Sequence, residues 1–259
     1  MSTVLDGILA AHRAVAAADE RPLDDLVARA AAAPPPRPFR ATLVESPGVA
    51  VIAEVKRRSP SKGPLAPDLD PVGLARRYQA GGASALSVLT DTEFFGGSAD
   101  DLGQARAACD LPVLRKDFTV SEADVCDARL MGADAVLLIV AALDDAELAR
   151  FGALAAQLGM AALVEVHSEA ELDRALAAGA DLVGVNRRDL RTFSVDLSLA
   201  ERLAERVPDE VATVAESGVR DAVDVAHLGA CGYDAVLVGE SLVTDPDPGL
   251  AVRRLRGAP

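Results

Sequence analysis

The chain has 259 residues, half of them apolar, and a formal net charge of −14. This length suits one α/β barrel or two smaller domains, and the acidic balance argues against nonspecific nucleic-acid binding. No apolar run reaches the roughly 18 to 20 residues that a membrane span needs. The acidic N-terminus lacks the basic region of a signal peptide, and three scattered cysteines favour a reducing compartment. We therefore expect a cytoplasmic protein with no membrane or nucleic-acid partner.

The first 45 residues predict helices. VLDGILAAHRAVAAA and LDDLVARAAA read as helical segments, and the turn-rich PPPRP segment (34–38) follows them. This region is too short to enclose a core of its own. We therefore expect a helical extension that covers an end of the following domain, in preference to a separate domain.

From residue 49 onward, eight short apolar runs alternate with helical segments. Apolar runs without polar alternation are typical of strands buried on both faces, as in a parallel sheet. The helical segments begin near Ser or Asp and end at Gly, as helix capping predicts. The predicted strands are 49–55, 85–90, 112–116, 134–140, 161–166, 181–185, 211–216 and 234–239.

A sequence echo recurs about every 50 residues. GGASALSV, GADAVLLI, GADLVGV and CGYDAVLVG each place Gly just before a predicted strand. One βα unit takes about half that length, so the echo indicates four pairs of units. A flavodoxin-like open sheet would need only five or six strands. Eight units predict a single (β/α)8 TIM barrel over residues 1–259, with residues 1–45 as its N-terminal helical extension.

Ionisable and amide side chains stand at the carboxyl ends of the predicted strands. Glu54 and Lys56 share one face of the first strand because successive strand residues alternate, and burying both would be costly unless they were paired. In this fold the carboxyl ends meet at one mouth, where active sites lie. The other strand-end residues are Thr90, Asp91, Lys116, Glu165, Asn186, Arg188, Glu216 and Ser217.

A lone charge at a strand end is usually a solvated rim residue, but convergence of so many strands on one mouth favours a polar site. Lys116 and Glu165 are the strongest candidates for chemistry. Arg115 and Asp117 are expected to face outward or to pair with neighbours. The three histidines show no ligand spacing, so no metal site is predicted, and His167 is interpreted as a loop or cap residue.

Two glycine-containing segments predict a phosphate site. ESGV (216–219) and VGESL (238–242) each place Gly directly after a strand. The loops after strands 7 and 8 of this fold often bind phosphate through backbone N–H groups and a short helix N-terminus. Gly218 and Gly239 would let the backbone approach an anion closely. We therefore expect a small phosphorylated molecule as the ligand.

With these residues in view, the chain resembles the indole-3-glycerol phosphate synthase family of tryptophan biosynthesis. The resemblance spans about residues 45 to 245 and is most specific in EVKRRSPSKG (54–63). One departure is Glu240, where a small residue such as Ser would be expected; the change is tolerable if the contact there is a backbone N–H group, whereas a carboxylate aimed at the phosphate would not be. Supporting motifs are SVLTDTEFFGGS (87–98), PVLRKDF (112–118), ADAVLLI (133–139), LVEV (163–166), GVNRRDL (184–190), AESG (215–218) and LVGESL (237–242).

The resemblance implies a ring closure. The substrate would be 1-(2-carboxyphenylamino)-1-deoxyribulose 5-phosphate, which loses CO₂ and water to give indole-3-glycerol phosphate. No redox change occurs, so no cofactor is implied. By resemblance, Lys116 protonates the carbonyl as it is attacked and Glu165 is the base of the dehydration. Glu54 and Lys56 assist, and the division of acid work between Lys56 and Lys116 stays open.

The resemblance also implies a set of binding residues. Ser59, Asn186 and Arg188 are suited to orienting polar groups, and the guanidinium matches the substrate carboxylate. Glu216 and Ser217 belong to the same substrate-binding set. The ring would be walled by Phe95, Phe118 and Leu137, although these phenylalanines could equally be plain core. The phosphate would be surrounded by Lys56, Gly218, Gly239 and Glu240. We expect a monomer.

Two other classes of protein are weighed against this interpretation. A phosphoribosylanthranilate isomerase or a tryptophan synthase α-like lyase would share the phosphate loops, but it would not need the Glu54 and Lys56 pair together with Lys116 and Glu165. A catalytically inactive barrel kept for binding or assembly would show eroded charges at the strand ends. Here the set is intact, which favours the synthase.

Overall fold

Eight parallel strands close into a barrel within residues 4–60, 62–189 and 194–257, the part of the chain that the computed structural model describes. Ser61 and Leu190 of the quoted motifs lie outside these residues. The first strand pairs with both the second and the last, which closes the sheet. The strands are β1 (Ala50–Val55), β2 (Ala85–Leu89), β3 (Val113–Lys116), β4 (Ala135–Ile139), β5 (Ala161–Val166), β6 (Leu182–Asn186), β7 (Ala212–Glu216) and β8 (Ala235–Val238).

The predicted (β/α)8 fold is therefore confirmed, and each strand begins and ends within one residue of its predicted limits. Helices follow the strands around the barrel, and a short antiparallel pair, Arg58–Ser59 with Gly63–Pro64, follows β1. The helices are α1 (Val4–Ala17), α2 (Leu23–Ala31), α3 (Phe39–Val44), α4 (Pro71–Ala80), α5 (Ala99–Ala108), α6 (Glu122–Leu130), α7 (Asp145–Gln157), α8 (Glu169–Ala177), α9 (Leu199–Ala204), α10 (Ala222–Ala230), α11 (Glu240–Val243) and α12 (Pro248–Leu255).

The helix boundaries have the capping that the sequence predicts. Ser121 accepts a hydrogen bond from Asp124 N, and Ser168 does the same from Glu171 N. Asp144 forms a full capping box with Glu147 at the start of α7. Each cap satisfies backbone N–H groups that the first helical turn leaves without a carbonyl partner.

The backbone conformation explains why Gly recurs before four of the strands. Its four glycines, Gly82, Gly132, Gly179 and Gly232, follow the ends of α4, α6, α8 and α10, with φ values of 89°, 92°, 83° and 97°. Glycine adopts this left-handed conformation without a Cβ clash, and it lets the chain leave the helix and enter the next strand. The echo therefore marks helix ends.

Two apolar layers surround the strands. One lies between the strands and the outer helices, and the other fills the barrel interior, where Ile52, Leu114, Leu163 and Val214 are fully buried. Aliphatic side chains dominate both layers, as the scarcity of aromatics requires. The interior is therefore a packed core and not a pore, as is usual in this fold.

The N-terminal extension contacts both ends of the barrel. Leu5 and Ile8 of α1 lie at the mouth, whereas Phe39 and Leu43 of α3 are buried against the interior residues nearest the strand N-termini. Between them, α2 packs on α6. The extension thus covers the mouth with its first helix and closes the floor with its third. No helix of the described residues is long and apolar enough to cross a membrane.

Candidate active site

A cavity of about 440 Å³ opens at the carboxyl ends of the strands. It is the place where the fold gathers the polar strand ends into one mouth. All the site residues predicted from the sequence line it: Glu54, Lys56, Ser59, Phe95, Lys116, Phe118, Leu137, Glu165, Asn186, Arg188, Glu216, Ser217, Gly218, Gly239 and Glu240.

Four ionisable residues come from alternate strands. Glu54, Lys116, Glu165 and Glu216 lie on β1, β3, β5 and β7, the strands that share one inward-facing layer in this fold. Lys116 Nζ is 2.8 Å from Glu165 Oε2 and 3.6 Å from Glu216 Oε2. On the strand between β5 and β7, Gly184 leaves room for the Glu216 carboxyl, which a Cβ there would strike.

Burial and neighbouring charges shift the pKa values of Lys116 and Glu165 in opposite directions. Burial alone would lower the pKa of Lys116, but the carboxyl groups of Glu165, Glu216 and Glu54 outweigh it and raise that pKa. Burial alone would raise the pKa of Glu165, but the Lys116 ammonium and His167 outweigh it and lower that pKa. The pair is therefore an ammonium beside a carboxylate at neutral pH.

Glu216 takes the opposite protonation state. Burial, together with the negative charge of Glu165, raises the pKa of Glu216 to about 8 against the attraction of Lys116. Its side chain is only 3% exposed, and its Oε1 has no hydrogen-bond partner. Near neutral pH, Glu216 is therefore mainly a neutral acid, and Glu165 is the carboxylate that faces the Lys116 ammonium.

Glu54 and Lys56, the two charged residues at the end of the first strand, form an ion pair with each other. The Lys56 ammonium donates a hydrogen bond to the Glu54 carboxylate, and Tyr78 donates to the Glu54 carbonyl oxygen at 3.0 Å. A Cβ on Gly239 would clash with Glu54 and lie 2.9 Å from Lys56 Nζ. A side chain at 239 would force the ends of Glu54 and Lys56 to move, so glycine there accommodates this ion pair in addition to any approach of the backbone to an anion.

The loop after β7 has an unusual backbone. Ser217 and Gly218 are consecutive residues with φ values of 64° and 75°. Asn186 Oδ1 accepts hydrogen bonds from Ser217 Oγ at 2.8 Å and from Arg188 N at 3.1 Å. Arg187 Nε donates to the Ser217 carbonyl at 2.9 Å. These contacts fix the strand 6 and strand 7 ends against each other beside the cavity.

One wall of the cavity is aromatic. The ring centroids of Phe95 and Phe118 are 6.3 Å apart, and those of His12 and Phe118 are 5.4 Å apart. Asp91 Oδ1 accepts from the backbone N–H groups of Phe94 and Phe95, which fixes the loop that carries this wall. Phe95 and Phe118 are only partly buried, so their rings remain available to a flat ligand.

Arg115 pairs with its neighbours, one of the two predicted arrangements. Its Nη2 lies 3.1 Å from Asp117 Oδ2, its Nε donates to Thr90 Oγ1, and its Nη1 donates to the Asp124 carbonyl. Asp117 takes part in this pair and also lines the cavity. The two residues that flank Lys116 therefore brace the end of β3.

His167 is a site residue that the sequence reasoning missed. Its Nε2 lies 3.4 Å from Glu165 Oε1, and its Nδ1 lies 3.2 Å from Glu171 Oε2. Burial alone would lower its pKa, but these two carboxylates raise it to about 10. The signal was present in the sequence, because residues 165 and 167 share one face where β5 ends.

His12 of α1 is the second missed residue. Its Nε2 lies 3.0 Å from Asp91 Oδ2 and 3.9 Å from Asp117 Oδ1. These ligand atoms are close enough together for a metal ion. However, Asp91 already binds two backbone N–H groups, and Asp117 already binds Phe118 N and Arg115. The arrangement fits an ion pair that attaches α1 to the mouth.

This ion pair predicts a pH dependence. The hydrogen bond to Asp91 raises the pKa of His12, although burial acts to lower it. Burial acts to raise the pKa of Asp91, but the hydrogen bonds from His12 and from the backbone of Phe94 and Phe95 outweigh it and lower that pKa. The histidine contribution to stability is therefore complete below about pH 6.5 and is lost as pH rises through the raised pKa. We expect the difference in unfolding free energy between the parent and His12→Gln to shrink between pH 6 and 9. A difference that stays constant would contradict this assignment.

Comparisons with known proteins agree on one family. The family model described as indole-3-glycerol phosphate synthase matches residues 5–255. A Streptomyces coelicolor protein named indole-3-glycerol phosphate synthase 2 is 56% identical, with 99% of this chain and 100% of that protein covered. A Nocardioides synthase is 54% identical over 98% of both chains. A Pyrococcus furiosus thiamine phosphate pyrophosphorylase structure matches in fold alone, with a TM-score of 0.62, 20% identity, and 81% and 94% of the two chains covered.

Proposed function

The chain belongs to the indole-3-glycerol phosphate synthase family, and from that premise we propose that Lys116 and Glu165 carry its chemistry. The protein is a carboxy-lyase of tryptophan biosynthesis that acts on a small phosphorylated substrate. It converts 1-(2-carboxyphenylamino)-1-deoxyribulose 5-phosphate into indole-3-glycerol phosphate, CO₂ and water. The observation that supports the proposed roles is the 2.8 Å contact between a half-buried ammonium and a buried carboxylate.

The first step forms a carbon–carbon bond. The aromatic carbon that bears the carboxylate attacks the ketone carbon, and the ketone oxygen gains negative charge as it does so. Lys116 donates its proton to that oxygen, and departure of CO₂ restores the aromatic ring. A positioned acid of this kind commonly accelerates a reaction roughly 100- to 10,000-fold. The negative charge of Glu165 keeps Lys116 protonated until the ketone arrives.

The second step removes water. The hydroxyl on the former ketone carbon leaves with a proton from an acid, and a base takes the proton from the neighbouring ring carbon. We assign the base to Glu165, whose lowered pKa keeps it ionised at neutral pH. His167 is then a positioning residue, because its ring lies 3.4 Å from the Glu165 carboxylate. The Glu54 and Lys56 pair assists from β1.

The binding roles follow the lining of the cavity. Arg188 would hold the substrate carboxylate, since a guanidinium matches two carboxylate oxygens. Phe95, Phe118 and Leu137 would wall the ring. The remaining polar residues, Ser59, Asn186, Glu216 and Ser217, would orient the sugar hydroxyls and the amine. The phosphate would lie against Lys56 and the backbone of Gly218, Gly239 and Glu240.

The cofactor, partners, domain organisation and location of the protein are proposed from its reaction, its charge and its fold. The chemistry has no net redox change, so no cofactor is needed. The net charge of −14 disfavours nucleic acid as a partner, and no membrane partner is proposed. Closure of the barrel floor by α3 supports residues 1–259 as one domain. We propose that the chain works in the cytoplasm as a monomer.

Gly218→Val tests the phosphate assignment. At φ 75°, a valine strains the loop, and its Cβ would lie 3.0 Å from Val195 Cγ1, so the backbone must withdraw from the anion. Loss of a hydrogen bond to a charged group predicts substrate binding about 10- to 100-fold weaker, with turnover followed as indole fluorescence. Gly48→Val is the matched control, because Gly48 has a φ of 79° and nothing within 4 Å. If both variants bind substrate equally well, the loop is an ordinary turn.

A further inference from the structure

Glu240, the departure from the family pattern, is paired across the cavity. Its Oε1 lies 2.5 Å from Lys62 Nζ, which comes from the loop after β1. Both side chains line the cavity beside Gly239, and they are 39% and 52% exposed. The carboxylate therefore has a cationic partner within the part of the mouth proposed for the phosphate.

The loop that carries Lys62 is braced at its base. Arg57 lies 2.5 Å from Asp101 Oδ2 and donates to the Leu69 carbonyl at 3.0 Å. Arg58 Nε donates to the Phe94 carbonyl at 3.0 Å. The antiparallel pairing of Arg58–Ser59 with Gly63–Pro64 turns the chain back, and Lys62 stands at this turn. The loop thus presents its lysine to the cavity from a fixed base.

A phosphate bound at this end of the cavity would lie near the Glu240 carboxylate, whose negative charge must be neutralised. A phosphate monoester carries about −1.5 to −2 charges at neutral pH, and an unpaired carboxylate in the same space would repel it. Lys62 offsets the Glu240 charge. Because the ion pair of Lys62 and Glu240 is exposed, it contributes little to folding stability, and we expect it to affect ligand binding instead.

We propose that Lys62 is a phosphate-binding residue and that Glu240 positions it before the substrate arrives. The carboxylate holds the Lys62 ammonium beside Gly239, where the ammonium can bind the incoming phosphate while it stays paired with Glu240. Glu240 is therefore tolerated at this loop because Lys62 neutralises it. This inference rests on the proposed phosphate site at Gly218 and Gly239, and it adds the Lys62–Glu240 pair to that site.

A double-mutant cycle tests the proposal through KM, kcat and competitive inhibition by inorganic phosphate. Lys62→Met should raise KM and the inhibition constant about tenfold or more, because it removes a cation and leaves Glu240 unpaired. In the Glu240→Gln background, Lys62→Met should raise KM and the inhibition constant about threefold or less, since no unpaired carboxylate remains. Because Lys62 is proposed to bind the phosphate and not the reacting carbons, Lys62→Met should leave kcat the same as in the background that carries it.

The control removes another exposed ion pair. Arg254→Met breaks a 3.2 Å contact with Asp245 outside the cavity lining and should leave all three constants unchanged. Equal effects of Lys62→Met in both backgrounds, or none in either, would overturn the proposed coupling. If Gly218→Val also leaves phosphate inhibition unchanged, the phosphate site itself is misplaced. If Gly218→Val weakens inhibition and Lys62→Met does not, only the role of Lys62 is wrong.

Discussion

Lys116→Met is expected to lower kcat and kcat/KM together by about 100- to 10,000-fold while the substrate still binds. Methionine keeps the length of the side chain and removes its proton. The lost interaction is made mainly in the transition state, where the ketone oxygen becomes negative. Substrate affinity, measured on the inactive variant, should stay within about tenfold of the parent, because the carboxylate and phosphate are held by other residues.

The structure adds a second consequence of this substitution. Without the Lys116 ammonium, Glu216 loses its cationic neighbour and Glu165 keeps only His167. The pKa values of both carboxyl groups must rise, which weakens the charge that the role of Glu165 as a base requires. Removal of one partner from a buried pair commonly costs about 3 to 5 kcal/mol, and protonation limits that loss. We therefore expect a lower melting temperature, not the unchanged stability of a rim residue.

Lys116→Arg separates charge from proton transfer. Arginine keeps a cation beside Glu165 but does not release its proton at neutral pH. We expect this variant to keep more of its thermal stability than Lys116→Met and yet to remain inactive. Full activity with arginine would mean that position 116 supplies only positive charge.

The barrel could be predicted because its signals are local and repeated. Every strand is buried on both faces, so each reads as an apolar run, and the echo glycines mark helix ends with left-handed backbone. The strand-end residues could be predicted as one site because a closed parallel barrel has only one carboxyl end. Glu54, Lys116, Glu165 and Glu216 needed no information beyond strand order.

The parts that escaped prediction depend on which distant segments meet. Phe39 and Leu43 form the barrel floor, but a six-residue helix carries too little pattern to show what it covers. His12 reaches Asp91 across 79 residues. Lys62 reaches Glu240 across 178 residues. In each case the sequence shows the side chain, and only the tertiary structure supplies its partner.

Glu165→Gln is expected to stop the reaction after the first step. Glutamine keeps the shape of the side chain and removes the base, so loss of water should slow by about 100- to 10,000-fold. Lys116 remains and can still protonate the ketone. A single turnover should therefore release CO₂ without the indole fluorescence that marks dehydration, whereas Lys116→Met should release neither.

The electrostatics of the layer favour a folded Glu165→Gln variant. The Glu165 charge helps to raise the pKa of Glu216, so its removal lowers that pKa and lets Glu216 pair with Lys116 at 3.6 Å. Glu216 then supplies the carboxylate that faces Lys116, and the melting temperature should stay near that of the parent. Glu169→Gln, a partly exposed carboxylate on the following helix, controls for the amide substitution. If indole forms at the parental rate, the base lies elsewhere; if CO₂ release is lost as well, Glu165 already acts in the carbon–carbon bond-forming step.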